Sequence, residues 1–215
     1  MAGIMPPEMD VARPHRAICP TLDSSVLAVL AGTSRPLTGR EVARLVGRPS
    51  HSGALDALNR LVEHGLVERQ EAGRALLFTL NREHLAAPAV EVLAGMRREL
   101  LKRLRQAIQG WEIKPVHASL FGSAARGEGD TESDIDLFIV RPDRVSGEDD
   151  RWRDQIDRLA TDVARWTGNR AGIAEVAESE LDRLGQEQPP ILKELRSDSI
   201  VLAGPEAAEL VGVAA

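Results

Sequence analysis

The chain has 215 residues, 43% of them hydrophobic, which is enough for one large or two small packed cores. A lone Cys19 excludes an internal disulfide and a cysteine-rich zinc site, and six Phe and Trp residues with no Tyr argue against an aromatic platform for single-stranded bases. The net charge of −6 is split unevenly: residues 1–115 carry 16 Lys/Arg against 12 Asp/Glu, whereas residues 116–215 carry 11 against 21. Such asymmetry fits a first half that meets a polyanion and a second that binds cations, although charge alone decides neither.

No run approaches the ~20 apolar residues of a membrane span, and the N-terminus lacks the basic-then-apolar layout of a signal peptide. A cytoplasmic protein with no membrane partner is therefore expected. Residues 1–22 contain Pro6, Pro7, Pro14 and Pro20 without sustained periodicity and read as a flexible arm. From Asp23 the spacing of Val26, Leu27, Val29 and Leu30 predicts a helix that stops at Gly32. Thr38 followed by Glu41 is a capping box that opens a second helix carrying Val42, Leu45 and Val46. After Gly47-Arg48-Pro49, a third helix carries Leu55, Leu58, Leu61 and Val62 and ends at Gly65. Two apolar runs around the polar turn Gln70-Glu-Ala-Gly73-Arg74 then predict a β-hairpin.

Three helices and a hairpin, with Thr38-Gly-Arg-Glu-Val-Ala-Arg-Leu-Val-Gly and Leu58-x-x-Leu61-Val-x-x-Gly65-Leu-Val67, resemble a winged helix-turn-helix domain across residues 23–82. The resemblance implies a third helix in the major groove of duplex DNA and a hairpin along its backbone. Arg48, Ser50, His51, Ser52, Asn59 and Arg60 would then be contacts from the helix, and Arg69 and Arg74 from the wing. Asp56 and Glu63 on the same helix, and the small excess of positive charge, leave docking of a protein partner or dimerisation as the other reading. A longer helix over about residues 87–109 follows, with Val90, Leu93, Leu100, Leu101, Leu104 and Ile108 as its apolar stripe and a basic remainder. It reads as a linker that could also support a homodimer.

The richest segment is Ser119-Leu-Phe-Gly122-Ser123-Ala-Ala-Arg126-Gly127-Glu128, followed by Ser133-Asp134-Ile-Asp136-Leu-Phe-Ile-Val140. Two strand-like runs are joined by a Gly/Ser/Arg turn and an acidic loop. Side chains alternate along a strand, so Asp134 and Asp136 share one face while Ile135, Leu137 and Ile139 take the other. Two close carboxylates repel, and an oxygen-only pair beside a glycine turn suits a hard cation such as Mg2+ carried in with a nucleotide. Backbone N–H groups at Gly122 and Ser123 and the Ser123 hydroxyl are the candidate triphosphate contacts, and Arg126 can either pair with phosphate or fix the acidic loop by bonding its carboxylates. Further on, a helix over 151–167, a strand over 172–177, short helices near 178–181 and 191–195 and an edge strand over 199–203 are expected. Beside the first strand, His117 reads as a core residue more than as a ligand.

Gly-Ser-x-x-Arg-Gly followed by Ser-Asp-x-Asp-Leu resembles the DNA polymerase beta-like nucleotidyltransferases, most closely the minimal branch, over about residues 115–204. The resemblance implies a short mixed sheet backed by helices, a triphosphate at the Gly-Ser turn and divalent metal on Asp134 and Asp136. It also implies a third carboxylate on the next strand. Alignment puts Ala174 at that place with Glu175 one residue on, so Glu175 serves only if register or a bulge turns it inward.

The expected architecture is α+β: an arm (1–22), a winged helix-turn-helix (23–84), a linker helix (85–112), a nucleotidyltransferase α/β domain with a short mixed sheet (113–205) and a tail (206–215). The expected activity is magnesium-dependent transfer of a nucleoside monophosphate from a nucleoside triphosphate to an unidentified hydroxyl. A transcription regulator whose degenerate domain senses nucleotide, and one component of a toxin–antitoxin pair, are the alternatives.

Overall fold

Residues 9–47, 51–128, 133–206 and 209 are described by the computed structural model. They divide into two units, residues 13–97 and a second that joins the residues up to Ala12 to those from Arg98 onward.

In the first unit, α1 (Leu22–Ala31) starts at Thr21, whose hydroxyl accepts from the Ser24 amide at 3.4 Å. After β1 (Leu37–Thr38), the predicted capping box forms at α2 (Gly39–Val46). The Glu41 amide donates to Thr38 Oγ1 at 3.3 Å and the Thr38 amide to Glu41 Oε2 at 2.8 Å, satisfying two donors a helix start would leave open. These bonds to its charged form hold the Glu41 carboxyl down at about 2. In α3 (His51–Glu63), Ala54, Ala57, Leu58 and Leu61 face inward, and Gly65 follows at φ +71°, where a side chain would be strained. The hairpin pairs β2 (Val67–Ala72) with β3 (Ala75–Leu80) through a two-residue loop with Gly73 at φ +62°. β1 adds on the other side of β3, giving the order β1-β3-β2. Val26, Leu30, Leu37, Val42, Leu58, Val67 and Phe78 form the core, closed by Val90 of α4 (Ala87–Ala94).

The predicted linker helix is two helices. Gly95 ends α4, and α5 (Met96–Gln109) begins at once. Their stripes serve different cores: Val90 packs into the first unit, whereas Leu100, Leu104 and Ile108 belong to the second.

The second unit is built on a four-stranded mixed sheet. Its strands are β4 (His117–Leu120), β5 (Ile135–Arg141), β6 (Ala171–Ala177) and β7 (Ile200–Ala203), in the order β6-β5-β4-β7. β4 pairs antiparallel with β5 and β7, and β5 runs parallel to β6. The segment after β4 is not an open turn but a short helix, α6 (Gly122–Arg126), ended by Gly127 at φ +71°. The β5–β6 crossover is α7 (Asp150–Thr167), started by the Asp149 side chain and ended by Gly168 at φ +80°. After β6 come α8 (Leu181–Glu187) and α9 (Pro190–Asp198).

Strand alternation divides the packing. On one face Ile135, Leu137 and Ile139 meet Leu104, Ile108, Trp152, Leu159 and Val163; on the other Phe138 and Val140 meet Phe121, Leu181, Leu192 and Leu195. The described part of the expected flexible arm is also packed. Val11 is 1% exposed within the first of these cores, and Met9 is hydrogen-bonded to Asn169 at both its amide and its carbonyl. Burying an apolar side chain of this size contributes about 1.5–3 kcal/mol, and Pro14 opens a short 3-10 helix, Pro14–Ala17, further along the same segment.

Candidate active site

Asp136 projects from β5 on the face opposite Ile135 and Leu137, and its carboxylate lies between two glycines. A Cβ on Gly122 would stand 2.6 Å from Asp136 Oδ2, and one on Gly172 2.8 Å from Oδ1. Both are closer than a real Cβ comes to another atom, so a side chain at either position would require the Asp136 carboxylate to shift. Gly122 has φ +69°, a second reason for glycine there. The backbone fastens the same corner: the Phe121 amide donates to the Asp136 carbonyl at 3.0 Å, and Gly172 is the register partner of Asp136 on β6.

Asp134 is exposed just before β5, and its Cβ would lie 3.9 Å from a Cβ on Gly172, which puts it on the side of Asp136. Burial pushes the Asp136 carboxyl above the usual range, and the negative charges of Asp134 and then Glu194 add to the effect. Ser123 is half-buried at the second position of α6. Arg126 ends α6 and faces three acids: its Nε donates to Glu128 at 2.7 Å, and Nη1 lies 3.8 Å from Glu194 and 3.7 Å from Asp198. The structure therefore sets Gly122 against Asp136 with Asp134 on the same side, while Ser123 and Arg126 follow on the short helix that Gly122 opens.

Glu175 is not brought to this group, which corrects its expected place as third carboxylate. It is the register partner of Ile139, with no bulge to turn it, and so faces the other side of the sheet. There it accepts from Arg141 Nε at 2.9 Å and from the Trp152 indole N–H at 3.0 Å. On the Asp136 side, β6 presents Gly172, Ala174 and Val176, none of them an acid. The acids that do approach are Glu194 and Asp198 of α9, which packs on α6. The sequence predicted a helix there but carried no signal for which side of the sheet it covers.

The donor set fits a hard divalent cation. Two carboxylates share a face, burial and the neighbouring acids disfavour the charged form of Asp136, and the pair offers oxygen donors alone. Among the described residues no cluster of three or more His, Cys, Asp or Glu is arranged to hold a metal, so phosphate and water oxygens would complete the coordination. His117 is fully buried, with Nδ1 2.7 Å from the Pro205 carbonyl oxygen and Nε2 2.9 Å from Ser119 Oγ. A carbonyl only accepts, so Nδ1 carries the proton and Nε2 accepts from the serine. This is a core pair.

The candidate DNA contacts are less gathered. Arg48 and Ser50 lie outside the described residues, as does the side chain of His51. Ser52 is exposed and Asn59 half-buried on α3, and Arg60 donates to Asp23 Oδ1 of α1 at 2.7 Å. Arg69 and Arg74 are exposed on the hairpin. No helix among the described residues is long and apolar enough to cross a membrane.

Residues 97–187 match the model of the nucleotidyltransferase domain family. The match covers α6, the acidic pair, α7 and β6, and supports the nucleotidyltransferase reading of this part of the chain. No curated protein and no solved structure matches the chain.

Proposed function

We propose that the second unit transfers a nucleoside monophosphate from a nucleoside triphosphate to a hydroxyl acceptor, with loss of pyrophosphate. The observation that carries this reading is the Asp136 carboxylate wedged between Gly122 of the Gly-Ser segment and Gly172, with Asp134 beside it. Asp134 and Asp136 would hold the divalent ion, magnesium in the first instance, which supplies charge neutralisation on the reacting phosphate oxygens. Because Gly122 lacks a side chain, the backbone amides there can approach the triphosphate, and the Ser123 hydroxyl adds a donor. Arg126 would exchange its carboxylate partners for phosphate oxygens, a bidentate match for guanidinium. Incubation with labelled nucleoside triphosphates and magnesium, beside an Asp134→Asn/Asp136→Asn variant, tests the reading. Carboxylate-dependent labelling of a cell component supports it; nucleotide binding with no such labelling sinks it.

A second reading is favoured by the acid-free site face of β6. The domain would then bind nucleotide as a signal, and residues 13–97 would act as a winged helix on duplex DNA, with Arg69 and Arg74 reaching the backbone from the hairpin. Salt-sensitive DNA binding that responds to nucleotide is its signature; binding that is flat across salt and indifferent to nucleotide excludes it.

A further inference from the structure

Asn169 is fully buried where α7 gives way to β6, and all of its polar side-chain atoms are engaged. Oδ1 accepts from the Met9 amide at 3.0 Å, while Nδ2 donates to the Met9 carbonyl at 3.0 Å and to the Ser133 carbonyl at 3.0 Å. The first two bonds treat the side-chain amide as a piece of strand backbone: it meets Met9 through donor and acceptor together. The third fastens the residue directly before Asp134.

Asn169 itself is set from behind. Gly168 turns the chain at φ +80°, the Asn169 amide donates to Thr167 Oγ1 at 3.0 Å, and that hydroxyl donates to the Val163 carbonyl at 2.8 Å. The next residue continues the brace, since the Arg170 carbonyl accepts from the Ile135 amide at 2.8 Å. Two carbonyl–amide links therefore flank Asp134: Ser133 on one side through Asn169, and Ile135 on the other through Arg170. Beyond Met9, Val11 anchors the strap in the core.

We infer that Asn169 is a positioning residue for the acidic pair, clamping an N-terminal strap at Met9 to the carbonyl of Ser133 and so fixing the backbone from which Asp134 projects. The inference rests on the proposed metal–nucleotide role of Asp134 and Asp136. It gives the N-terminal residues a task in the site, although they lie far from it in sequence. The Asn169 side chain grips Met9 and Ser133 through their backbone groups, so its loss acts on where Asp134 points, not on the phosphate contacts proposed at Gly122 and Ser123.

Two variants of the full chain test this: Asn169→Ala, and deletion of residues 1–10, the latter measured with and without a synthetic peptide of residues 1–12. Hydrogen exchange on the peptide spanning Ser133 to Asp136 is expected to rise about tenfold in both, and to fall again when the peptide is added to the deletion variant. Nucleoside triphosphate binding is measured by calorimetry with and without magnesium. The magnesium-dependent gain in affinity should drop about tenfold while magnesium-free binding stays within twofold, a split that general destabilisation would not produce. Unchanged exchange at Ser133–Asp136, or an equal loss in both binding measurements, overturns the inference. If the unaltered protein shows no magnesium-dependent gain, the nucleotidyltransferase reading is what fails, and the exchange result alone decides the strap.

Discussion

Arg141 and Glu175 sit on neighbouring parallel strands with Nε and Oε1 2.9 Å apart, their side chains only 16% and 20% exposed. Arg141 also donates to the Val145 carbonyl, and Glu175 also accepts from Trp152, so the pair ties both strands to α7 and to the loop after β5. This is a structural pair on the sheet face opposite Asp136.

Glu175→Gln should therefore cost stability and leave nucleotide binding alone. Removing one partner strands the other charge in a largely buried place, and partial solvent access moderates the penalty to about 2 kcal/mol. Urea denaturation reads the loss. A variant of normal stability that has lost magnesium-dependent binding would instead put Glu175 in the site.

Gly172→Ala separates the acidic site from the fold in the opposite sense. Its backbone is not in the left-handed region, so the main damage is the 2.8 Å approach of the new Cβ to Asp136 Oδ1. Asp136 must turn away, and magnesium-dependent nucleotide affinity should fall tenfold or more. Gly122→Ala carries the same clash at 2.6 Å plus a left-handed backbone, which alone costs about 1–2 kcal/mol. It should lose both binding and stability; an alanine that binds as well as glycine at either position contradicts the wedge.

Asp136 gives a pH signature. Folding raises its pKa, first through burial and then through Asp134 and Glu194, so the folded state favours the protonated carboxyl. The stability linked to that proton is fully present below the unfolded carboxyl's pKa of about 3.9 and is lost as pH rises through the higher folded value. Without divalent ions, Asp136→Asn should thus melt above the unaltered protein at neutral pH. The gap should close as the pH is lowered towards about 4. Melting curves between these limits measure it, and a gap that does not change with pH would refute the electrostatic account.

If the first unit acts on duplex DNA, Arg69→Ala and Arg74→Ala should each weaken binding similarly for all sequences and reduce the salt slope by about one. Arg60 is already paired with Asp23, so Arg60→Ala should change affinity less than either. Fluorescence anisotropy over a salt series distinguishes the three. An Arg60 variant that loses the most would show that α3 releases Asp23 to engage DNA.

Local chemistry explains what could be read in advance. Thr38 and Glu41 announce a capping box because those side chains can reach each other's backbone across one turn, and they do. Asp134 and Asp136 share a face because strands alternate, whatever lies around them. Other features depend on which distant segment arrives. Glu175 is one residue from the needed place, and only the pairing of Ile139 with Glu175 shows that it faces away. Gly172 looks like an ordinary strand glycine until Asp136 is seen against it. Gly95, a tolerable residue within a long apolar stripe, proved to be the break between two helices serving separate cores. Nor did the proline-spaced start reveal that Val11 is core, because a single buried valine has no period.

The bond between Met9 and Asn169 spans 160 residues. At a synthesis rate of roughly 5–20 residues per second, about 8–32 s separate the emergence of one partner from that of the other. During that interval the first unit, residues 13–97, can fold on the ribosome, whereas Asn169, the partner of Met9, has yet to be made. Closure of the strap is therefore a late event in the life of the nascent chain, and the acidic pair is braced only after the crossover helix has been made.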